Sequence, residues 1–147
     1  MSELTTNRRS LRLQAAAKAA AAAVAEAERL NIDIVVAVVD RSGDTLCLMR
    51  MDNAFFHSAG IAEDKAYTAA SFGFATDQWG PVVEGNPGLE QGLAARPRLV
   101  MFGGGLPVFA DDAIIGAIGV SGGSEDQDIA CARAGLNTLA PSSQPEQ

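Results

Sequence analysis

The sequence predicts an α+β fold: a single domain with an antiparallel sheet of about five strands flanked by helices. Three observations carry the α+β reading. Helical stretches open and close the chain. Its β-branched runs follow one another through short Gly-containing turns. The resulting order, α-β-β-α-(α)-β-β-β-α, makes sequence neighbours antiparallel partners, whereas a parallel sheet would need a helical crossover between strands. With 147 residues, 48% of them hydrophobic, the chain can bury one core without disulfides or a structural metal.

Taken in order, residues 10–30 are rich in Ala, the best helix former, and Asn31 is a left-handed stop. IDIVVAVVD and TLCLMRM are strand-length runs joined by Arg41-Ser42-Gly43-Asp44, a hairpin. The pattern turns helical again over 54–73, and Thr76-Asp77 caps a short helix reaching Val83. Residues 84–97 hold enough Gly and Pro to read as a loop. LVMF (99–102), LPVFA (106–110) and IIGAIGV (114–120) are strand-like, and a last helix spans 124–139. Domain limits are therefore an N-terminal extension at 1–9, the domain at 10–139 and a flexible tail at 140–147.

Lys plus Arg number 11 against 18 Asp plus Glu, a net charge of -7. That sign disfavours a phosphate backbone, so no nucleic-acid partner is expected. Two distant cysteines and a single histidine give no metal-site spacing. Neither a signal peptide nor a transmembrane span is read, and the expected compartment is the cytoplasm with reduced thiols.

A helical wheel over 54–73 puts Ile61, Ala62, Ala66, Ala69, Phe72 and Gly73 on one arc, and Lys65 falls inside it. A core-facing lysine needs a carboxylate or a ligand anion to offset desolvation; the plain structural reading is an ion pair or a snorkelling chain. Gly122-Gly123-Ser124-Glu125-Asp126-Gln127-Asp128 joins the last strand to the last helix, with Ser124 and Gln127 fitting a capping box. Glu125 shares a face with Ile129, Ala132 and Leu136 and Asp128 lies at its edge, so one acid is expected to point inward. Their charge already serves the helix dipole, which argues against phosphate there. Asp52 is a strand-end acid or an N-cap, and His57 is either a surface residue or the one imidazole available as ligand or acid-base group. Gly103-Gly104-Gly105 lets backbone or ligand approach the sheet and, without a following Lys-Ser or Lys-Thr, is no P-loop.

In this order VVDRSGDTLCLMRMDNA, AEDKAYTAASF, MFGGGLPV and IIGAIGVSGGSEDQDIA resemble the GlcG/HbpS-like family, and the resemblance runs from Leu11 to Leu139. It implies the profilin-like fold, a homo-oligomer, and a pocket between the Asp-Asn turn, the lysine helix, the Gly-Gly-Gly segment and the Ser-Gly-Gly helix start. On those elements the expected catalytic residues are Lys65, Glu125 and Asp52. The expected ligand-contacting residues are Asn53, His57, Thr68, Gly104, Gly105, Ser121, Gly122 and Asp128. Relatives of this kind bind or degrade haem, form the C-terminal domain of cobalamin adenosyltransferase-type proteins, or accompany catabolic enzymes. Haem-binding relatives place an axial histidine toward the N-terminal helix. This chain has none there, so ligation would fall to His57, Met49, Met51 or Tyr67.

Three functions follow as expectations. The first is a cofactor-independent enzyme moving protons on a small carbonyl or carboxylate metabolite, of isomerase, tautomerase, lyase or hydratase type. Lys65 would hold the anion, and Glu125 or Asp52, with a pKa raised by burial, would be the base. The second is a haem or tetrapyrrole binder whose flat ring lies between Phe55, Phe56, Phe72, Phe74 and Trp79. The third is a non-catalytic oligomeric accessory protein. No cofactor is expected under the first, haem under the second, and no membrane contact under any.

Overall fold

The computed structural model describes residues 3–139; the tail expected at 140–147 lies outside them. Helix α1 spans Leu13–Arg29 and buries Ala16, Ala19, Ala20, Ala23 and Ala27, a stripe of small side chains that allows close packing. It stops where expected. Asn31 takes φ 59°, the Asn31 amide donates to the Glu28 carbonyl at 3.1 Å, and the Ile32 amide to that of Ala27 at 3.0 Å, which is a Schellman closure. Its start is later than expected because Arg12 is extended at φ -86° and the Leu11 amide is bound to the Ile115 carbonyl at 2.9 Å.

Strands β1 (Val35–Asp40), β2 (Thr45–Arg50), β3 (Gly105–Ala110) and β4 (Ala113–Ser121) form one antiparallel sheet in the order β2-β1-β4-β3. Central β1 reads as an unbroken apolar run because both its faces are covered. Val36 and Val38 face α1 and α5 (Glu125–Leu136), with Leu106, Ile118 and Val120. Val35, Ala37 and Val39 face α2 (His57–Phe72). The result is an α-β-α layering in which α2 alone covers one side.

Three expectations are corrected. The sheet has four strands, not about five: 99–102 pairs with none. There a side chain replaces a ladder, since the Thr68 hydroxyl accepts from the Val100 amide at 3.1 Å and donates to the Arg98 carbonyl at 2.9 Å. Edge strand β3 also carries Pro107, which has no amide to offer. Residues 84–97 are not all loop. After a 3-10 turn at Thr76–Gln78 and α3 (Trp79–Val83), a helix α4 spans Pro87–Ala94, capped by Asn86, whose side chain accepts from the Leu89 amide at 3.1 Å. No residue of α4 is buried, and its two glycines and leading proline read as loop in the sequence. Phe72, expected on the inner arc, is 48% exposed and meets buried Trp79 edge-on at 4.8 Å.

Candidate functional site

The site begins with small residues. A Cβ on Gly119 would lie 2.6 Å from the Ala66 amide nitrogen, and one on Gly105 only 2.5 Å from the Lys65 carbonyl oxygen. Glycines in β3 and β4 thus let the α2 backbone rest directly on the sheet. Lys65 leaves this contact and runs into the slot left by Gly104, where a Cβ would lie 2.7 Å from Lys65 Nζ. Gly104 also has φ 129°, so both space and backbone demand glycine.

Inside the slot Lys65 makes two hydrogen bonds. Nζ donates to the Val120 carbonyl at 2.8 Å and to Asp128 Oδ2 at 3.1 Å. The Phe102 ring stands over it, 5.1 Å from the ammonium to the ring centroid. Asp128 is delivered by the first turn of α5, which is fixed by the Ser124–Gln127 capping box. Its second oxygen accepts from the Gly123 amide at 2.9 Å.

Burial governs the pair's protonation. It pulls Lys65 below the ordinary lysine value, against the opposing pull of Asp128 and, more weakly, Glu125. It pushes Asp128 above the ordinary aspartate value, against Lys65 and the Gly123 and Gly122 amides. The two affinities for a proton are therefore drawn toward each other, a condition that suits proton exchange.

Of the residues expected from sequence, the slot brings together Lys65, Asp128, Gly104 and Gly105. The inward acid is Asp128. Glu125 is exposed, and its Oε2 accepts from the Gly103 amide at 2.6 Å, tying the glycine segment to α5. Asp52 and Asn53 are exposed on the turn after β2. The raised, buried carboxyl expected of Glu125 or Asp52 is thus supplied by neither, because α5 turns inward Asp128, three residues after Glu125. Thr68 is buried, but both hydrogen-bonding roles of its hydroxyl go to the 98–100 backbone. Ser121 pairs with Ser58 at 3.2 Å, and Gly122 turns at φ 141° against the Asp33 carbonyl. His57, at the start of α2, is exposed and stacked on Phe56, with centroids 6.0 Å apart. Phe55 and Phe56 beside it are 69% and 79% exposed.

Sequence reasoning missed Phe102, Ser58 and the Val120 carbonyl. The signal for Phe102 was present, a bulky aromatic directly before three glycines. A backbone carbonyl leaves no residue-type signal at all.

An α-β-α domain with one antiparallel sheet and a lysine-carboxylate pair sealed between its covering helix and its glycine-rich strand ends is the class these features define. The chain belongs to the family described as "Haem degrading protein HbpS-like", which matches residues 11–137. It is 41% identical over 114 residues to a 15.0 kDa protein from the dhaT-dhaS intergenic region of Citrobacter freundii, covering 76% of this chain and 79% of that one. Among solved structures, a double mutant of Streptomyces reticuli HbpS superposes with TM-score 0.86 at 38% identity, covering 95% and 94% of the two chains. A complex of the PduO C-terminal domain with haem superposes with TM-score 0.80 at 33% identity, covering 89% and 96%.

Proposed function

We propose that this protein binds haem or a closely related tetrapyrrole, with His57 as the iron ligand. The observation that carries the reading is the ledge at the start of α2: the one imidazole of the sequence lies exposed beside Phe55 and Phe56, both more than two-thirds exposed. Large apolar side chains left in solvent beside a metal-ligating group suit a flat, apolar, metal-bearing ligand. The alternatives are weaker. Met51 sulfur accepts from the Ile34 amide at 3.3 Å, and Tyr67 lies under the Arg98 guanidinium, 3.7 Å from its ring. The haem complex of the structurally similar PduO domain supports the same ligand class. Bound haem would supply an iron centre for redox or gas chemistry; His57 would fix the iron, and Phe55 and Phe56 would shield one ring face from water. Homo-oligomers belong to this reading, because Leu13, Phe72 and Leu4 are further exposed apolar side chains, and gel filtration with light scattering tests it.

A thermal-shift comparison tests the ligand class. Haem is expected to raise the melting temperature by several degrees at micromolar concentration, small carboxylates to leave it unchanged. The reverse pattern favours a second reading, proton-transfer catalysis on a small carbonyl or carboxylate metabolite. That reading rests on one observation, the buried Lys65–Asp128 pair with its converging proton affinities. There Lys65 would hold the anion and Asp128 would take the proton, once Phe102 had swung aside. A Lys65→Met variant that kept full turnover of such a substrate would end it.

A further inference from the structure

At the other end of the sheet lies a second polar cavity. Asp40 pairs with Gly116 at one end of β1 and Val35 with Ser121 at the other, so the β1–β2 turn is about 17 Å of strand away from the Lys65 slot. Beside that turn a cavity of about 330 Å³ is lined by Arg8, Ser10, Arg41, Ser42, Tyr67 and Ser71 together with Gly43 and Ala70. No acidic residue lines it, in a chain whose net charge is -7. Arg9 and Arg98, close by in sequence or space, are neutralised by Asp111 and Asp64 at 3.1 and 2.9 Å. Among the described residues Arg8 and Arg41 have no ion-pair partner.

The walls are built rather than incidental. The Arg41 amide donates to Ser10 Oγ at 3.0 Å, the Leu11 amide to the Ile115 carbonyl at 2.9 Å, and Arg9 Nη2 to the Ala110 carbonyl at 3.0 Å. These bonds pin the Arg8 segment across the hairpin. Asp40 caps the turn, its Oδ1 accepting from the Ser42 and Asp44 amides at 2.9 and 3.1 Å, and among the described residues it forms no ion pair with either arginine. Tyr67 is held between Arg98 and the turn, where a Cβ on Gly43, itself at φ 87°, would lie 2.8 Å from the ring. Ser10 accepts one bond and keeps its proton to donate. Two arginines and four hydroxyl-bearing residues thus line one space with no acidic residue among them.

We propose that this cavity binds a small dianionic oxyanion, the phosphate of a monoester or the paired carboxylates of a diacid, with Arg8 and Arg41 as its bidentate clamps. Calorimetric titration of the full chain with inorganic phosphate and with succinate tests it, using Arg8→Gln, Arg41→Gln and Arg8→Lys, with Arg12→Gln and Lys18→Gln as controls. At least one probe is expected to bind, and which one does distinguishes phosphate from diacid. Each Gln variant should weaken it about tenfold or more, Arg8→Lys should weaken it less than Arg8→Gln, and both controls should bind as the parent does. Arg8 is exposed, so its variants test the clamp without disturbing the core. Binding of neither probe, or equal weakening by Arg12→Gln or Lys18→Gln, would overturn the proposal.

Discussion

Lys65 Nζ and Asp128 Oδ2 lie 3.1 Å apart with the two side chains only 1% and 6% exposed, which makes each charge the condition for burying the other. Removing either partner leaves an uncompensated charge in the core. Lys65→Met and Asp128→Leu are each expected to cost about 3–5 kcal/mol, and the Lys65→Met, Asp128→Leu double variant less than the sum. Urea denaturation of the cycle measures this. Additive losses would mean that the pair is not coupled.

The same burial sets a pH dependence. Asp128 has a folded pKa above its ordinary 3.8, so between those two values the folded state holds more protons than the unfolded one. Its contribution to stability is then fully present below pH 3.8 and is lost as pH rises through the folded pKa. Lys65 is displaced the other way, its folded pKa lying below its ordinary 10.5. The folded state therefore holds fewer protons in that window, and stability rises as pH rises through it. Denaturation midpoints of the parent relative to Asp128→Asn should accordingly improve on acidification toward pH 3.8. A parent that instead loses ground to Asp128→Asn would show that the carboxylate is favoured in the fold.

Phe102 stands over Lys65 and is 51% exposed, whereas the lysine is 1% exposed. Trimming the ring opens the slot without touching the ion pair. Phe102→Ala should raise the rate at which an amine-acylating reagent labels Lys65 by about tenfold, as read by peptide mass spectrometry. An unchanged rate would mean that access is governed elsewhere.

Gly104 tests the cradle. A methyl there would crowd the Val120 carbonyl at 2.6 Å and Lys65 Nζ at 2.7 Å on a backbone at φ 129°. Gly104→Ala is expected to cost about 2 kcal/mol or more, whereas Gly60→Ala, with open space around its Cβ position, should be neutral or stabilising. Thermal unfolding of the two variants separates them.

What could be read from the sequence follows what periodicity can encode. The alanine stripe of α1, the Asn31 stop, the hairpin and the Ser124 capping box are local patterns, and each has its expected place in the fold. Lys65 stood out because a lysine on an apolar arc is a local contradiction. Its partner did not, since Glu125 and Asp128 sit three residues apart on one helix and only the angle of α5 against the sheet decides which turns inward. The strand expected at 99–102 failed for a related reason: Thr68, more than thirty residues earlier, supplies the hydrogen bonds that a neighbouring strand would have made. Contacts between distant elements, and backbone carbonyls such as that of Val120, have no signature in a single chain's pattern.

The Soret spectrum of the haem-titrated protein beside that of His57→Ala tests most directly whether His57 holds the iron of a bound tetrapyrrole. Because His57 is exposed, the substitution leaves the core intact. The parent should give a sharpened, shifted Soret band that saturates at a fixed stoichiometry, and His57→Ala should lose that shift and bind about tenfold more weakly or worse. An identical band and affinity in both proteins, or no saturable band in the parent, would contradict it.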